Sequence, residues 1–309
     1  MSAAQVDVVV VSFNRRELLS KCCESIAEID EVAHLVVVDN ASTDGSAEMM
    51  RQRFPEASLI CNDRNLGFGR AVNLGAAAGN APLLLLLNSD AELRPGAYVA
   101  LRSALRSDPE TAGVGPHISD EQGRTELSVG RTLSLTNETW FKILGSAHEA
   151  GIPLLHGLVE RRYGRPRRTP SLSAACLLLR RDAFKQVDGL DERFFLYAED
   201  VDLCHRLTQA GWRLRYVPKA QVLHRRGASA AVQPLLTERW YRASQIAFYD
   251  KHRSRMALAC LRAYLRVRYA LVSRFGDRQR RMRARAVDEW LRGVPETPEA
   301  TVSDTASQR

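Results

Sequence analysis

The 309-residue sequence contains no CxxC pair. Its six cysteines, Cys22, Cys23, Cys61, Cys176, Cys204 and Cys260, are scattered, which argues against a secreted disulfide scaffold and for reduced thiols in a cytosolic protein. No apolar stretch reaches the roughly 20 residues that a membrane-spanning helix needs. Residues 1–7 lack the basic head and cleavage site of a secretory signal and run straight into a strand-like valine series, so a cytoplasmic location is expected. Also missing are GxGxxG and GxxxxGK[ST], the glycine patterns that cradle dinucleotides and ATP phosphates, which disfavours a dehydrogenase or an ATPase. Internal repeats are absent.

Acidic residues are outnumbered, giving a net charge of +8, but the excess is local. Residues 251–292 hold 13 Lys and Arg against three Asp and Glu, which leaves the rest of the chain slightly acidic. A nucleic-acid enzyme would carry its basic residues around a working cleft, with aromatic side chains to stack bases, so no nucleic-acid partner is expected.

What is present is an alternation of strands and helices. Residues 6–11 form a continuous apolar run, as expected of a strand buried on both faces, followed by a helical stretch at 15–26. Strand patterns recur at 35–38, 58–61 and 82–87, with helical segments at 45–53 and 67–78 between them. This predicts an α/β fold with a mostly parallel sheet flanked by helices. Further on, 96–107 reads as helix, and 113–118, 124–129 and 174–179 as strands. The arginine-rich 161–168 reads as an exposed loop, and 195–211 as an acidic start followed by a helix. Residues 213–217 and 221–223 read as two short strands, and 235–292 as mostly helix, broken near Gly276. Residues 133–170 show no clear period, and the polar 293–309 has a disordered composition.

Ligands of parallel sheets sit at the carboxyl ends of the strands, so polar residues directly after apolar runs are candidates. Ser12-Phe13-Asn14, Asp39 to Asp44, and Asn88-Ser89-Asp90 are three such ends, expected on one rim. A carboxylate at Asp90 can hold Mg²⁺ or Mn²⁺, the remaining positions going to water and a diphosphate, or it can cap a turn. Glu199-Asp200-Val201-Asp202 follows the aromatic series Phe194-Phe195-Leu196-Tyr197. Acidic residues there either complement a helix N-terminus or supply a general base, for which Asp200 is chosen, with Glu199 supporting it and Asp202 as a structural partner. His224, at a strand end, is either a hydrogen-bonded structural residue or the imidazole that completes a sphere begun by Asp90. Asn65-Leu66-Gly67-Phe68-Gly69 allows close backbone approach to a nucleotide, or simple helix capping.

In this order the pieces resemble the inverting family 2 glycosyltransferases of the GT-A fold, in particular the branch similar to rhamnosyltransferases of cell-surface polysaccharide assembly. The resemblance spans about residues 6–229 and rests on Val11 to Asn14, Val37 to Ser46, Asn65 to Phe68, Leu87 to Asp90, Phe194 to Arg206, Gly211-Trp212, Val217-Pro218 and His224. It implies a nucleotide-diphosphate sugar donor carrying dTDP or UDP, and a glycan or lipid-linked glycan acceptor. Asp39 would bond the nucleobase; Ser12 and Asn14 would line that pocket, and Asn65 and Asn88 would complete the donor-binding set. Asp90 and His224 would hold Mg²⁺ or Mn²⁺, and Asp200 would take the acceptor proton. Two departures from the family pattern stand out: Asn88 opens the triplet that elsewhere begins with Asp, and Ser173 to Cys176 lacks a glycine.

The expected organisation is a GT-A catalytic domain at 1–230, with a nucleotide-binding half at 1–92 and an acceptor-binding half at 93–230. A basic helical extension at 231–292 and the tail follow. In that extension Leu258, Leu261, Leu265, Tyr269 and Val272 recur at helical spacing beside arginines, a stripe expected to dock on the core and to meet the anionic inner face of a membrane. Two other functions compete: a nucleotide-sugar-binding protein without catalysis, which Asn88 makes conceivable, and a nucleic-acid binder acting through the arginine-rich tail.

Overall fold

The computed structural model describes residues 5–130, 161–225 and 234–293, with single positions and short stretches between 132 and 159. Half of the aperiodic region 133–170 and the tail beyond Gly293 lie outside the described residues. By its packing the chain divides into two units, Met1–Asp191 with Asp200–Arg226, and Glu192–Glu199 with Gly227–Arg309.

The first unit runs β1 (Val6–Ser12), α1 (Arg16–Ile26), β2 (Val32–Asp39), α2 (Ser46–Arg53), β3 (Ser58–Cys61), α3 (Phe68–Ala77), β4 (Leu83–Asn88), β5 (Ala91–Leu93), α4 (Ala97–Arg106) and β6 (Thr111–Ser119). It continues with β7 (Arg167–Arg168), β8 (Cys176–Arg180), α5 (Arg181–Gln186), α6 (Glu199–Gln209) and β9 (Arg213–His224). All lie in or against one nine-stranded sheet of order β3-β2-β1-β4-β8-β6-β9-β5, with β7 beside β9. β3, β2, β1 and β4 are parallel; β8 runs against β4 and β6, and β6 is parallel to β9.

The apolar runs explain why both faces are covered. Val8 and Val10 of β1 and Leu85 and Leu87 of β4 point to one face, under Leu19, Cys22 and Ile26 of α1, Met49 and Met50 of α2, and Leu101 and Leu105 of α4. Val9, Leu84 and Leu86 point to the other, against Val72 of α3, Phe184 of α5, and Leu203 and Leu207 of α6. The side-chain period of two in a strand divides them in this way. Close approach of α3 requires Gly75, where a Cβ would lie 2.5 Å from a methyl of Val9.

Three local expectations are corrected. Residues 124–129 form no strand. They make an isolated bridge, Ser119 to Thr125, and then curl so that Ser128 N donates to Glu126 O. The arginines of 161–168 are not a free loop: Arg167 belongs to β7 and its guanidinium stacks over the rings of Tyr163 and Tyr216. The two short strands at 213–223 are one, β9, whose Pro218 falls at a register shift opposite the Pro116/His117 step of β6. A proline at a bulge interrupts the ladder without ending the strand.

The amino ends of the parallel strands are locked by charge. Asp7 is fully buried and pairs with the buried Arg181 at 2.6 Å, while its other oxygen meets His34 Nδ1 at 2.8 Å. Arg181 also donates to the carbonyls of Ala81 and Ala76, and Ala81 N donates to Asp7. Gly79 leaves room for this cluster, since a Cβ there would sit 2.2 Å from Asp7 Oδ2.

The second unit contains α7 (Pro234–His252), α8 (Arg255–Phe275) and α9 (Arg278–Gly293). Ser254 and Asp277 set the two breaks by accepting from Ala257 N and Arg280 N, as helix N-caps do. Leu261, Leu265 and Tyr269 of α8 are buried, as are Ala284, Val287 and Leu291 of α9, which packs against it. The expected membrane-facing stripe is therefore covered. Arg242 of α7, also buried, donates to Tyr269 Oη at 2.9 Å and to Glu238 at 3.0 Å, and the Tyr269 hydroxyl donates to Glu238, tying α7 to α8.

Removing one partner of a buried ion pair strands the other charge, at a cost of about 3–5 kcal/mol. Asp7→Asn should therefore lower unfolding stability in urea by about that amount. An unchanged urea midpoint would show that the Asp7–Arg181 pair does not hold the amino ends together.

Candidate active site

The carboxyl ends of β1, β2 and β4 share one rim, as their apolar runs led us to expect. Ser12 is in register with Asp39, and Val11 with Asn88. Ser12 Oγ, Asp39 Oδ1 and Asn88 Oδ1 are buried there and make no hydrogen bond within the protein. An unsatisfied buried polar atom costs about 1–3 kcal/mol, so three on adjacent strand ends make this rim the candidate place for a polar ligand.

Other members of the expected donor-binding set are engaged in holding loops. Asn14, in the left-handed region at φ 52°, accepts from Thr43 N at 2.7 Å, and its own N–H donates to Ser42 Oγ at 2.8 Å. It clips the β1 loop to the β2 loop. Asn65 Oδ1 accepts from Gly67 N at 2.9 Å and shapes the entry to α3. Asn40, which sequence reasoning passed over, is buried; it donates to Gly67 O at 3.1 Å and accepts from Asn62 Nδ2 at 2.8 Å. Its position directly after Asp39 was the available signal.

Asp90 and His224 come together through the sheet. Ala91 of β5 is in register with His224 of β9, and Arg225 N donates to Asp90 O at 2.9 Å. His224 Nε2 lies 3.0 Å from Asp90 Oδ1. On the opposite side, His224 Nδ1 lies 2.8 Å from Glu126 Oε2. Glu126 is held because its backbone N–H donates to Ile118 O, and Ile118 is in register with Val222 of β9. Burial alone would lower the pKa of His224, but hydrogen bonds to Asp90 and Glu126 and their charges outweigh it and raise the pKa to about 9. Glu126 was missed because it stands in a segment read as an ordinary strand. Among the described residues, no three His, Cys, Asp or Glu side chains form a ready-made metal cage.

Asp200 is in the first turn of α6. One of its carboxylate oxygens accepts from Ala174 N at 3.3 Å and the other from Val201 N at 2.8 Å. Ala175 O in turn accepts from Asn88 N at 3.0 Å, so Asp200 stands one short loop from the end of β4. Asp202 is fully buried and accepts from Arg206 Nε at 2.7 Å, the structural part expected of it. Glu199 is the first residue of α6 and is buried.

The backbone ahead of Glu199 is strained: Tyr197 and Ala198 have φ 68° and 70°. The left-handed region costs a non-glycine residue about 1–2 kcal/mol, and two in succession persist only where their surroundings fix them. Here α7 does so. Phe195 packs on Trp240 with ring centroids 4.9 Å apart, Tyr197 meets Tyr241 edge-on at 5.8 Å, and Ser244 Oγ donates to Leu196 O at 2.8 Å.

Residues 4–243 match the family described as glycosyltransferase like family 2. The chain belongs to this family. It is a glycosyltransferase with the GT-A fold, and an enzyme rather than a binding-only protein. It is similar to the N-acetylglucosaminyl-diphospho-decaprenol L-rhamnosyltransferase of Mycobacterium tuberculosis, with 34% identity over 90% of this chain and 94% of the relative. A pre-mycofactocin glycosyltransferase of the same species is 33% identical over 55% of this chain and 32% of its own. Among solved structures, a mannosyltransferase of Pyrobaculum calidifontis in complex with GDP-Man and Mn²⁺ aligns with TM-score 0.56 and 16% identity, covering 98% of this chain and 79% of its own. No helix among the described residues is long and apolar enough to cross a membrane.

The strained turn yields a stability test. Ala198→Gly should leave the thermal midpoint unchanged or raise it. Ala198→Val, a β-branched residue at positive φ, should cost on the order of 2 kcal/mol. Equal midpoints for the two variants would refute the strain.

Proposed function

We propose that this enzyme moves L-rhamnose from a dTDP- or UDP-linked donor onto a hydroxyl of a lipid-linked glycan. It would do so at the cytoplasmic face of the membrane, in the assembly of a cell-surface polysaccharide. The observation that carries the site assignment is the Asp90–His224–Glu126 chain beside the three unpartnered polar atoms of the rim. The sugar and the acceptor class rest on the relative that spans nearly the whole chain.

Asp39 and Ser12 would receive the nucleobase and its ribose, with Asn88 toward the diphosphate, each supplying a polar atom without a partner in the protein. Asn14 and Asn65 would shape that pocket by holding its loops. The donors at Asp90 and His224 fit a divalent cation. A carboxylate oxygen and an imidazole nitrogen are ligand types that divalent metals accept, and here Asp90 Oδ1 and His224 Nε2 are brought within hydrogen-bond distance, 3.0 Å. Glu126 holds the Nδ1 proton, as carboxylates behind metal-bound histidines do, and Nε2 would give up to the incoming ion the proton it shares with Asp90. Mg²⁺ or Mn²⁺ bound there would neutralise the charge of the departing diphosphate.

Asp200 would be the base, with Glu199 supporting it. Its hydrogen bonds from Ala174 N and Val201 N fix the carboxylate at the start of α6. It would take the proton of the acceptor hydroxyl as that oxygen attacks the anomeric carbon; the bond from that carbon to the diphosphate oxygen breaks on the opposite face. The configuration inverts.

Asp90→Ala should abolish metal-dependent turnover. Asp200→Asn should keep donor-induced thermal stabilisation and lose transfer. Glu126→Gln should weaken Mn²⁺ affinity by about 10–100-fold and, because it removes a buried partner of His224, should also lower the thermal midpoint. An unaltered Mn²⁺ affinity would refute the part given to Glu126. If no dTDP- or UDP-sugar stabilised the protein in the presence of Mg²⁺ or Mn²⁺, the assignment would fall.

A further inference from the structure

Helix α8 is apolar on two sides. One side, through Leu261, Leu265 and Tyr269, is buried. The other is a line of Met256, Cys260, Tyr264, Val267, Leu271 and Phe275, spaced three or four residues apart and all exposed. Met256 and Phe275, at its two ends, are 76% and 75% exposed, and Val267 and Leu271 between them 59% and 53%. At 100° per residue these positions fall within an arc of about 100°, on a helix about 30 Å long. Isolated exposed apolar residues are ordinary, but a continuous stripe is a surface that something covers.

The charges say what covers it. α8 carries five arginines and no acidic residue, and residues 255–293 carry 11 arginines against three acidic residues and no lysine. Arg268 and Arg274 border the stripe, with Arg268 Nη1 near Tyr264 Oη at 3.5 Å and Arg274 stacked on Phe275. A second copy of the chain would bring two arginine-edged faces together with no carboxylate on α8 to separate them. A nucleic acid would engage the guanidiniums and leave Val267, Leu271 and Phe275 in water. An anionic bilayer accepts both parts, apolar side chains among the acyl chains and guanidiniums among the phosphates.

We propose that the outward face of α8 is a docking surface for an anionic lipid bilayer. This deepens the reading that the acceptor is lipid-linked, and rests on it for placing the enzyme at a membrane. It moves the contact from the buried stripe read in the sequence to the opposite side of the same helix. Guanidiniums stay charged throughout the physiological pH range, so attachment is set by lipid charge and salt rather than by pH.

The test is flotation of the full chain with vesicles of phosphatidylcholine alone or mixed with phosphatidylglycerol. The wild type should float with the mixed vesicles, bind neutral ones about tenfold less, and detach as salt rises. Val267→Glu with Leu271→Glu should lower the bound fraction about tenfold, and Arg268→Gln with Arg274→Gln should weaken it and flatten its salt dependence. Thermal midpoint and donor-induced stabilisation should be unchanged in both variants. Wild-type flotation by the Val267→Glu, Leu271→Glu variant overturns the proposal, as does a dimer in the wild type that this variant abolishes. Vesicle binding by an enzyme that uses only soluble acceptors would sink the lipid-acceptor reading and leave the surface standing. Transfer to a lipid-linked acceptor without vesicle binding would do the reverse.

Discussion

The position of His224 between Asp90 and Glu126 is the constraint on which the site depends, and it is set by strand register. Side chains alternate along a strand, so a slip of one residue in β9 would turn His224 to the other face of the sheet. The phase of β9 is set by the shift beside Pro218 and by its pairing with the three-residue β5. The curl after β6 has the same role, because it carries Glu126 to the far nitrogen of the ring. Small features that would otherwise pass as irregularities of the sheet have one geometric result: two carboxylates on either side of one imidazole.

The two ends of the parallel strands differ in kind. At the amino ends Asp7 and Arg181 are buried and hydrogen-bonded through both carboxylate oxygens and all three guanidinium nitrogens. At the carboxyl ends Ser12, Asp39 and Asn88 leave buried oxygens unsatisfied. An unfavourable rim is tolerated because the opposite end of the same strands is so fully bonded. Fully paired and unpartnered buried polar groups are thereby separated along a single strand, β1, from Asp7 to Ser12.

Much of this was legible in the sequence, and for physical reasons. Continuous apolar runs identify strands buried on both faces, and the polar residue that follows each run marks the rim; Ser12, Asp39, Asn88 and Asp90 were found in that way. The helix beginning at Glu199 was readable from its acidic first turn. Glu126 was not readable, because its role comes from a curl that local alternation disguises as a strand. Pro218 suggested a break where β9 merely bulges. Arg167 sits among arginines that look solvated, yet its partners, Tyr163 and Tyr216, are distant or unremarkable in sequence. On α8, two apolar stripes share one spacing, and only packing decides which is covered.

The pairing of β5 with β9 also bears on how the enzyme is made. Asp90 and His224 are 134 residues apart, and Glu126 and His224 are 98 apart. β1 to β4, by contrast, all lie between Val6 and Asn88 and can pair early in synthesis. A nascent chain therefore carries the rim of β1, β2 and β4 well before β9 leaves the ribosome with the imidazole that joins the two carboxylates. On the function proposed above, chemical competence would be among the last properties the growing polypeptide acquires, and unfinished chains would be spared from consuming activated sugar.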